Sequence, residues 1–383
     1  MTVSLQNCLA LLGIALALTL VSATSYAQNY VPAVPGQVMA PGLPQVTGPY
    51  TTQQVVGGVS PTNQVFQSPQ FINPPVQQIY PASPLYVPQA QFAPMAGKRF
   101  YFTAELFMLT RTNRADPQSV VLDNPTLNEL LSTSDLTFQY EPGLRTILGF
   151  SLGQCRYAEL LYFGLHNWDD TQVVEGNDNL RIPGNLALAS TDFLDADRIR
   201  VDYSGEVHNI EINYVASYPL AFVGGFRYII FNEFFGINSL DLDSGTSDYL
   251  INTTNDLIGG QLGLRYGHCC GCWTFDATGK VGAYYNNASQ NQTVNDLDNG
   301  FNFRTARGDG STTAWTVDLG ANASILLTQS LALRGGYQAI WINRVALAPD
   351  QLDFTDTPTS GTGINISGST LLHGFNIGLE LRN

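Results

Sequence analysis

Trp273-Thr274-Phe275-Asp276-Ala277-Thr278-Gly279-Lys280-Val281-Gly282-Ala283-Tyr284-Tyr285-Asn286-Asn287 is the stretch whose reading decides the fold. In an extended strand successive side chains point to opposite sides. Taken that way, Trp273, Phe275, Ala277, Val281, Ala283 and Tyr285 share one face, and Thr274, Asp276, Thr278, Lys280 and Asn286 share the other. The next run repeats the division. Trp315, Val317, Leu319, Ala321, Ala323, Ile325 and Leu327 stand opposite Thr316, Asp318, Asn322 and Ser324. The apolar face begins at Trp273 and ends at Tyr285, twelve residues on. At about 3.3 Å per residue and a tilt near 45° this spans about 28 Å, the height of a bilayer core between aromatic belts.

The same phase sets Leu331, Leu333, Tyr337 and Trp341 outward in the following run, and Phe375, Ile377, Leu379 and Leu381 outward in the last. Working back to residue 98 gives ten strand-like runs, near 98-110, 142-153, 156-167, 199-217, 220-236, 256-267, 273-287, 312-328, 330-345 and 369-382. The first and fourth divide less cleanly. Short turns fall near Gly153 to Arg156, Tyr218 to Pro219, His268 to Cys272 and Thr328 to Ser330. Long loops fall near 111-141, 168-198, 237-255, 288-311 and 346-368. Strict alternation of long and short connections is how outer-membrane barrels are strung, with tight periplasmic turns and long outer loops. The expected fold class is all-β, an antiparallel transmembrane up-and-down β-barrel of about ten strands, range eight to twelve.

Composition agrees. Charged residues make up 13% and mean hydropathy is near zero, which is what alternating faces produce on average. Past the first 25 residues no apolar run reaches the length of a helical span. A net charge of −14 leaves no basic footprint for nucleic acid. Much of the acid lies in the loops, around Asp116 to Asp135, Asp169 to Asp202, Asp241 to Asp256, Asp296 to Asp309 and Asp350 to Asp356. It reads as a solvated surface. Weak divalent-cation binding by carboxylate oxygens is the alternative, and no stretch has the EF-hand spacing.

Residues 1-27 resemble a secretory signal peptide, with apolar Leu9 to Val21 and small residues Ser25 and Ala27 before Gln28, although Met1 to Asn7 has no Lys or Arg. The expected location is therefore the outer membrane. Residues 28-97 hold 13 of the 20 prolines, among Gln, Val and small residues. Proline removes amide donors and fixes φ, so this segment is expected to be a disordered periplasmic linker. Contact with peptidoglycan or another envelope component through it is the sharper reading. Outer-membrane lipid is the partner that the strand faces themselves imply.

The polar faces carry charges of both signs: Glu105, Arg145, Glu159, Glu211, Arg227, Glu233, Asp276, Lys280, Asp318, Arg334 and Glu380. Barrels of about eight strands have interiors filled by side chains, and wide channels appear near sixteen. Ten strands lie near the filled end. Buried charges persist where they are paired, so an ion-pair network plugging the lumen is expected, with a narrow pore lined by the same charges as the alternative.

Several pieces in order carry a family resemblance. They are Gly224-Gly225-Phe226-Arg227-Tyr228 with Asn232-Glu233, Asn255-Asp256-Leu257 with Gly260-Gln261-Leu262-Gly263, and Gly279-Lys280-Val281-Gly282. Gly335-Gly336-Tyr337-Gln338-Ala339-Ile340-Trp341 follows, with Val345-Ala346-Leu347-Ala348-Pro349-Asp350-Gln351, and then His373-Gly374-Phe375 with Gly378-Leu379-Glu380. Over about 280 residues the chain resembles the putative beta-barrel porin family seven of planctomycete outer membranes. The resemblance implies an outer-membrane barrel and supplies no catalytic residues. One departure is the end Glu380-Leu381-Arg382-Asn383, where outer-membrane strands commonly finish on an aromatic residue recognised in assembly.

Cys155, Cys269, Cys270 and Cys272 all fall at short turns, and an oxidising compartment favours disulfides. Cys155 with one member of the cluster, or Cys269 with Cys272, is the expected pairing. Free thiols are the alternative, and zinc bound by His268 with the cluster a further one, against which the tight spacing argues. No cofactor or metal site is assigned. His166, His208, His268 and His373 are scattered and no hydrolase or phosphate-binding motif is present. His166 with Asp169 and Asp170 is the one pair placed as in a ten-stranded outer-membrane protease, and solvated surface is the better reading of it. No enzyme is expected. The function expected is a structural or surface role, or limited permeability to small solutes. A narrow diffusion pore is the alternative, and a soluble secreted β-domain a further one.

Overall fold

The alternation of faces produces a closed wall. The computed structural model describes residues 99–112, 115–153, 156–218 and 220–383. The expected signal peptide over residues 1–27, the linker over residues 28–97, and Cys155 lie outside them. Among the described residues twelve strands run in chain order: β1 Phe100–Thr112, β2 Ser119–Asp123, β3 Glu129–Ser132, β4 Glu141–Gly153, β5 Arg156–Arg181 and β6 Ala196–Tyr218, then β7 Leu220–Asp241, β8 Gly245–Cys270, β9 Trp273–Asp296, β10 Phe301–Leu326, β11 Leu331–Val345 and β12 Gly368–Arg382. Ten of them form the barrel. Each pairs antiparallel with its neighbour, and β1 pairs both β4 and β12, from Tyr101 opposite Arg382 to Thr112 opposite Leu371. The additional β5–β6 pairing completes the ring. β2 and β3 form a hairpin hung on the far end of β5, where Leu122 stands opposite Arg181.

All ten barrel strands lie where the sequence places them, but three of the expected loops are largely wall. β5 continues to Arg181, β7 turns into β8 at residues 242–244, and β9 turns into β10 at residues 297–300. The apolar-outside criterion stops where the outward side chains become polar, as at Asp248, Asn252 and Asn291. The ladder does not stop there, because backbone donors and acceptors still need partners and inward Tyr249, Ile251 and Val294 are fully buried. β5, β8 and β10 each have 26 residues. At about 3.3 Å per residue and a 45° tilt that is about 60 Å of wall, more than twice the apolar band of about 25 Å.

That band is continuous. Leu106 and Met108 on β1, Ile210 and Ile212 on β6, Phe222 and Phe226 on β7, Ile258 and Leu262 on β8, Val281 and Tyr285 on β9, and Phe375 and Ile377 on β12 all point outward and are exposed. Phe226 is 75% exposed, a cost no soluble β-domain would carry around its whole girth. No helix among the described residues is long and apolar enough to cross a membrane, and the strands perform that task. At the short-turn end Gly271 adopts φ +64, a left-handed conformation that lets β8 reverse into β9 within two residues.

Candidate functional site

The lumen has two layers. The one nearer the short turns is ionic. Glu105 and Arg145 stand directly opposite across the β1–β4 ladder and are paired. Glu211 stands opposite Arg227 across β6–β7, and Lys280 opposite Asp318 across β9–β10. These four join crosswise: Arg227 Nη1 to Asp318 Oδ2 at 2.7 Å, Lys280 Nζ to Glu211 Oε2 at 2.7 Å, and Lys280 to Asp318 at 3.3 Å. Arg334 reaches Glu105 at 3.0 Å, Asp276 at 2.7 Å and Glu380 at 3.6 Å. The structure thus brings every inward charge named from the sequence, except Glu233, into one layer.

Two cations of this layer were not read from the sequence, and neither was Arg111, which lies farther up the lumen beside Glu233. Arg265 forks onto Glu159, Nη1 to Oε1 at 2.7 Å and Nη2 to Oε2 at 3.0 Å, and Arg382 meets Glu380. Both lie in the inward phase of their strands, next to outward Leu264 and Leu381, so alternation alone would have found them. With them the layer balances. Six cations (Arg145, Arg227, Arg265, Lys280, Arg334, Arg382) face six carboxylates (Glu105, Glu159, Glu211, Asp276, Asp318, Glu380). The chain's net charge of −14 therefore lies outside this layer. A cavity of about 120 Å³ remains among these side chains, room for a few waters.

Phe107 and Phe163, 5.8 Å apart, roof the ions, with the Arg145 guanidinium 4.3 Å from the Phe107 ring and that of Arg227 5.9 Å from Phe163. Above them the lumen is an apolar core. Leu109, Val201, Tyr203, Phe231, Phe235, Tyr249 and Ile251 from the wall are fully buried or nearly so. Glu233 lies here, paired with Arg111, whose Nη2 donates to Tyr203 Oη at 2.6 Å.

The segment between β11 and β12, read from sequence as an outer loop, folds inward instead. Ala346, Leu347 and Ala348 are completely buried. Inward polar side chains of the wall satisfy its backbone, as buried backbone groups require. Asn255 bonds both the N–H and the carbonyl of Ala346, at 2.7 and 2.9 Å. Glu233 Oε2 accepts from the Ala348 N–H at 2.6 Å. Gln292 donates to the Gln351 carbonyl, and Gln290 to those of Gly361 and Gly363, each at 2.6 Å. Asp350 in this segment accepts from the Asp116 N–H at 2.7 Å, and burial pushes its carboxyl up to about 6. Phe138 from the β3–β4 connection packs 4.9 Å from the Tyr203 ring and covers Arg111. The long-loop end is thus capped from within.

Cys269, Cys270 and Cys272 are free thiols. Cys269 stands opposite Thr274 across the β8–β9 ladder, and its Sγ lies 3.6 Å from the Thr274 hydroxyl, so it faces along the strand pair and forms no bridge with Cys272 in the turn. A pairing with Cys155 lies outside the described residues. His166 does not meet Asp169 or Asp170. Asp170 accepts instead from the Thr137 N–H at 2.8 Å, and His166 turns to His208 and Glu206 on β6, a grouping that residue spacing did not show. At the long-loop end Asp178 of β5, Asp197 of β6 and Asp241 of β7 converge, and repulsion from Asp197 raises the Asp178 carboxyl.

The family described as Putative beta barrel porin-7 matches residues 106–382. No curated protein matches. Among solved structures the chain is similar to the outer membrane protease OmpT of Escherichia coli, at 10% identity and TM-score 0.39, covering 74% of this chain and 97% of that one. It is also similar to the toluene transporter TodX of P. putida, at 9% identity and TM-score 0.31, covering 74% and 89%. A FadL homologue of Pseudomonas aeruginosa matches at 9% identity and TM-score 0.25, covering 74% and 90%.

Proposed function

This chain belongs to the putative beta barrel porin-7 family, and from that premise we propose that it serves as a closed outer-membrane barrel, a structural and surface element rather than an open channel. The observation that carries the reading is the inward segment, with Ala346 to Ala348 wholly buried in the lumen above a neutral ion layer. Water and ions have no continuous aqueous route through packed apolar side chains. Whatever the protein contacts then meets the acidic extensions of the wall at the long-loop end. In this reading residues 1–27 direct export and are removed, residues 28–97 tether the barrel to envelope components on the periplasmic side, and the wall contacts outer-membrane lipid. The cysteine-bearing turns face the periplasm and the acidic loops face outward. No catalytic role is included.

Planar-bilayer recording of the refolded full chain tests this reading. A silent bilayer is expected, and stable single-channel steps would overturn it. The cavity of about 120 Å³ in the ion layer favours a second reading, a narrow pore that conducts small solutes when the inward segment withdraws. Steps appearing only after proteolysis of that segment would select it. Release of the native protein by a carbonate wash without detergent would exclude both.

A further inference from the structure

The outer wall above the apolar girdle carries a cluster that a closed barrel does not need. His166 on β5 and Glu206 and His208 on β6 bring one nitrogen or oxygen each within 4.8 Å of one another. His166 Nδ1 lies 3.8 Å and His208 Nε2 4.0 Å from the same carboxylate oxygen, Glu206 Oε2. The two imidazole rings are 4.7 Å apart, edge to face.

Three local features create this meeting. The β6 alternation sets His208 and Glu206 on the outward face that continues from Ile212 and Ile210. On β5 the register with β6 slips between Leu165 and Trp168, and such a bulge re-aims the side chains beside it. Gly164 stands directly opposite His208, and a Cβ there would lie 2.5 Å from Tyr162 Oη and 3.4 Å from His166 Nε2. The absent side chain is the notch that the rings and the phenol share.

Each cluster member on β6 is also held by its far end. Tyr162 Oη is 3.1 Å from His208 Nδ1, and Asn232 Nδ2 donates to Glu206 Oε1 at 2.9 Å. With Nδ1–H donating to the phenol, the Nε2 lone pair of His208 faces Glu206 Oε2. Partners that fix the remote atom of an imidazole or carboxylate are what orient metal ligands.

We propose that His166, Glu206 and His208 bind a divalent transition metal of zinc type at the outer water boundary of the wall, with a fourth position open to solvent. Two imidazoles and one carboxylate suit such an ion, whereas calcium and magnesium take oxygen ligands. Tetrahedral coordination at about 2.0 to 2.2 Å needs donors about 3.3 Å apart, so each imidazole closes on Glu206 by less than about 1 Å from 3.8 and 4.0 Å, and the two imidazoles, within 4.8 Å of one another, close by at most about 1.5 Å. The bound ion links the bulged β5 to β6 where the wall leaves the membrane.

The test is titration of the refolded full chain with Co²⁺ as the spectroscopic probe. One equivalent binding with visible d–d bands and no thiolate charge-transfer band is expected. Loss of that binding in H166A and H208A is also expected, with an affinity about 10- to 100-fold lower in Tyr162→Phe. Absence of binding, a thiolate band from the Cys269 to Cys272 turn, or unchanged binding in folded H208A would overturn the proposal. Should a variant fail to fold, the unaltered chain decides. Zn²⁺ should protect His166 and His208, but not His268 or His373, from carbethoxylation read by mass spectrometry, and equal labelling with and without Zn²⁺ would overturn it.

Discussion

Asn255 on β8 holds Ala346, 91 residues later, by both of its backbone groups: the Asn255 amide donates to the Ala346 carbonyl at 2.9 Å, and its oxygen accepts from the Ala346 N–H at 2.7 Å. One wall side chain thereby fixes the entry of the inward segment. Replacement by leucine removes both bonds and leaves two buried backbone groups unsatisfied, each costing about 1 to 3 kcal/mol. Asn255→Leu should therefore release the segment while the strand ladder stays. Limited proteolysis should cut residues 352–367 faster than in the parent chain, with heat-shifted gel mobility retained. Equal cutting rates would show that the wall holds the segment by other means.

The buried carboxyl of Asp350 makes that segment sensitive to pH. Its carboxyl is pushed up to about 6 from 3.8, chiefly by burial, with the Asp116 and Glu233 carboxylates adding to the rise and the Asp116 N–H and Arg111 opposing it. Between those values the folded chain keeps a proton that the unfolded chain has released, so stability falls as pH rises. The contribution is fully present below 3.8 and gone above about 6, a difference of about 3 kcal/mol. Asp350→Asn keeps the acceptor for Asp116 and removes the titration. Urea midpoints against pH should fall more steeply for the parent than for the variant in this window, and the variant should be the more stable of the two at neutral pH. Parallel profiles would contradict the assignment.

How much of this was legible in the chain follows from what each feature depends on. The Trp273 to Tyr285 faces depend on neighbours two residues apart, so strand reading reached them and the inward charges with them; which charge faces which, as in Glu105–Arg145, Glu211–Arg227 and Lys280–Asp318, depends on register between strands and was not assigned. Glu159 and Arg265 meet from β5 and β8 across the lumen, which no ladder encodes. The inward segment has apolar and small residues that also suit an exposed loop. Its signal was remote, in the inward-phased Asn255, Asn286, Gln290 and Gln292, four amides with no reason to line an apolar core except to satisfy a second backbone. His166 was visible as a residue and not as a neighbour of Glu206, because a bulge moved the register.

Removing one member of the ion layer should cost more than removing a matched pair. Arg227 and Asp318 are fully or almost fully buried and 2.7 Å apart. Arg227→Met leaves Asp318 and Glu211 sharing Lys280 alone, and breaking a buried pair in this way costs about 3 to 5 kcal/mol. In the double variant Arg227→Met with Asp318→Leu, the Glu211–Lys280 pair at 2.7 Å remains neutral. It should recover most of the loss. Unfolding free energies of the four chains in a double-mutant cycle measure this directly. Simple additivity of the two single losses would mean that the charges are hydrated rather than mutually compensated.

The lipid contact of the wall is tested at Val281. Its side chain points outward, 57% exposed, near the middle of the apolar face that runs from Trp273 to Tyr285. On the surface of a water-soluble β-domain, Val→Arg at such a position stays within about 0.5 kcal/mol, and it removes an exposed apolar group. At the bilayer midplane the same change costs about 2 to 4 kcal/mol. Asn291, farther along β9 on the same outward phase and above the girdle, supplies the control, since Asn291→Arg meets water in either case. Reversible unfolding from lipid vesicles should show the larger penalty at Val281 and almost none at Asn291. Equal, small effects at both positions would place the girdle in water and remove the membrane from the account of this fold.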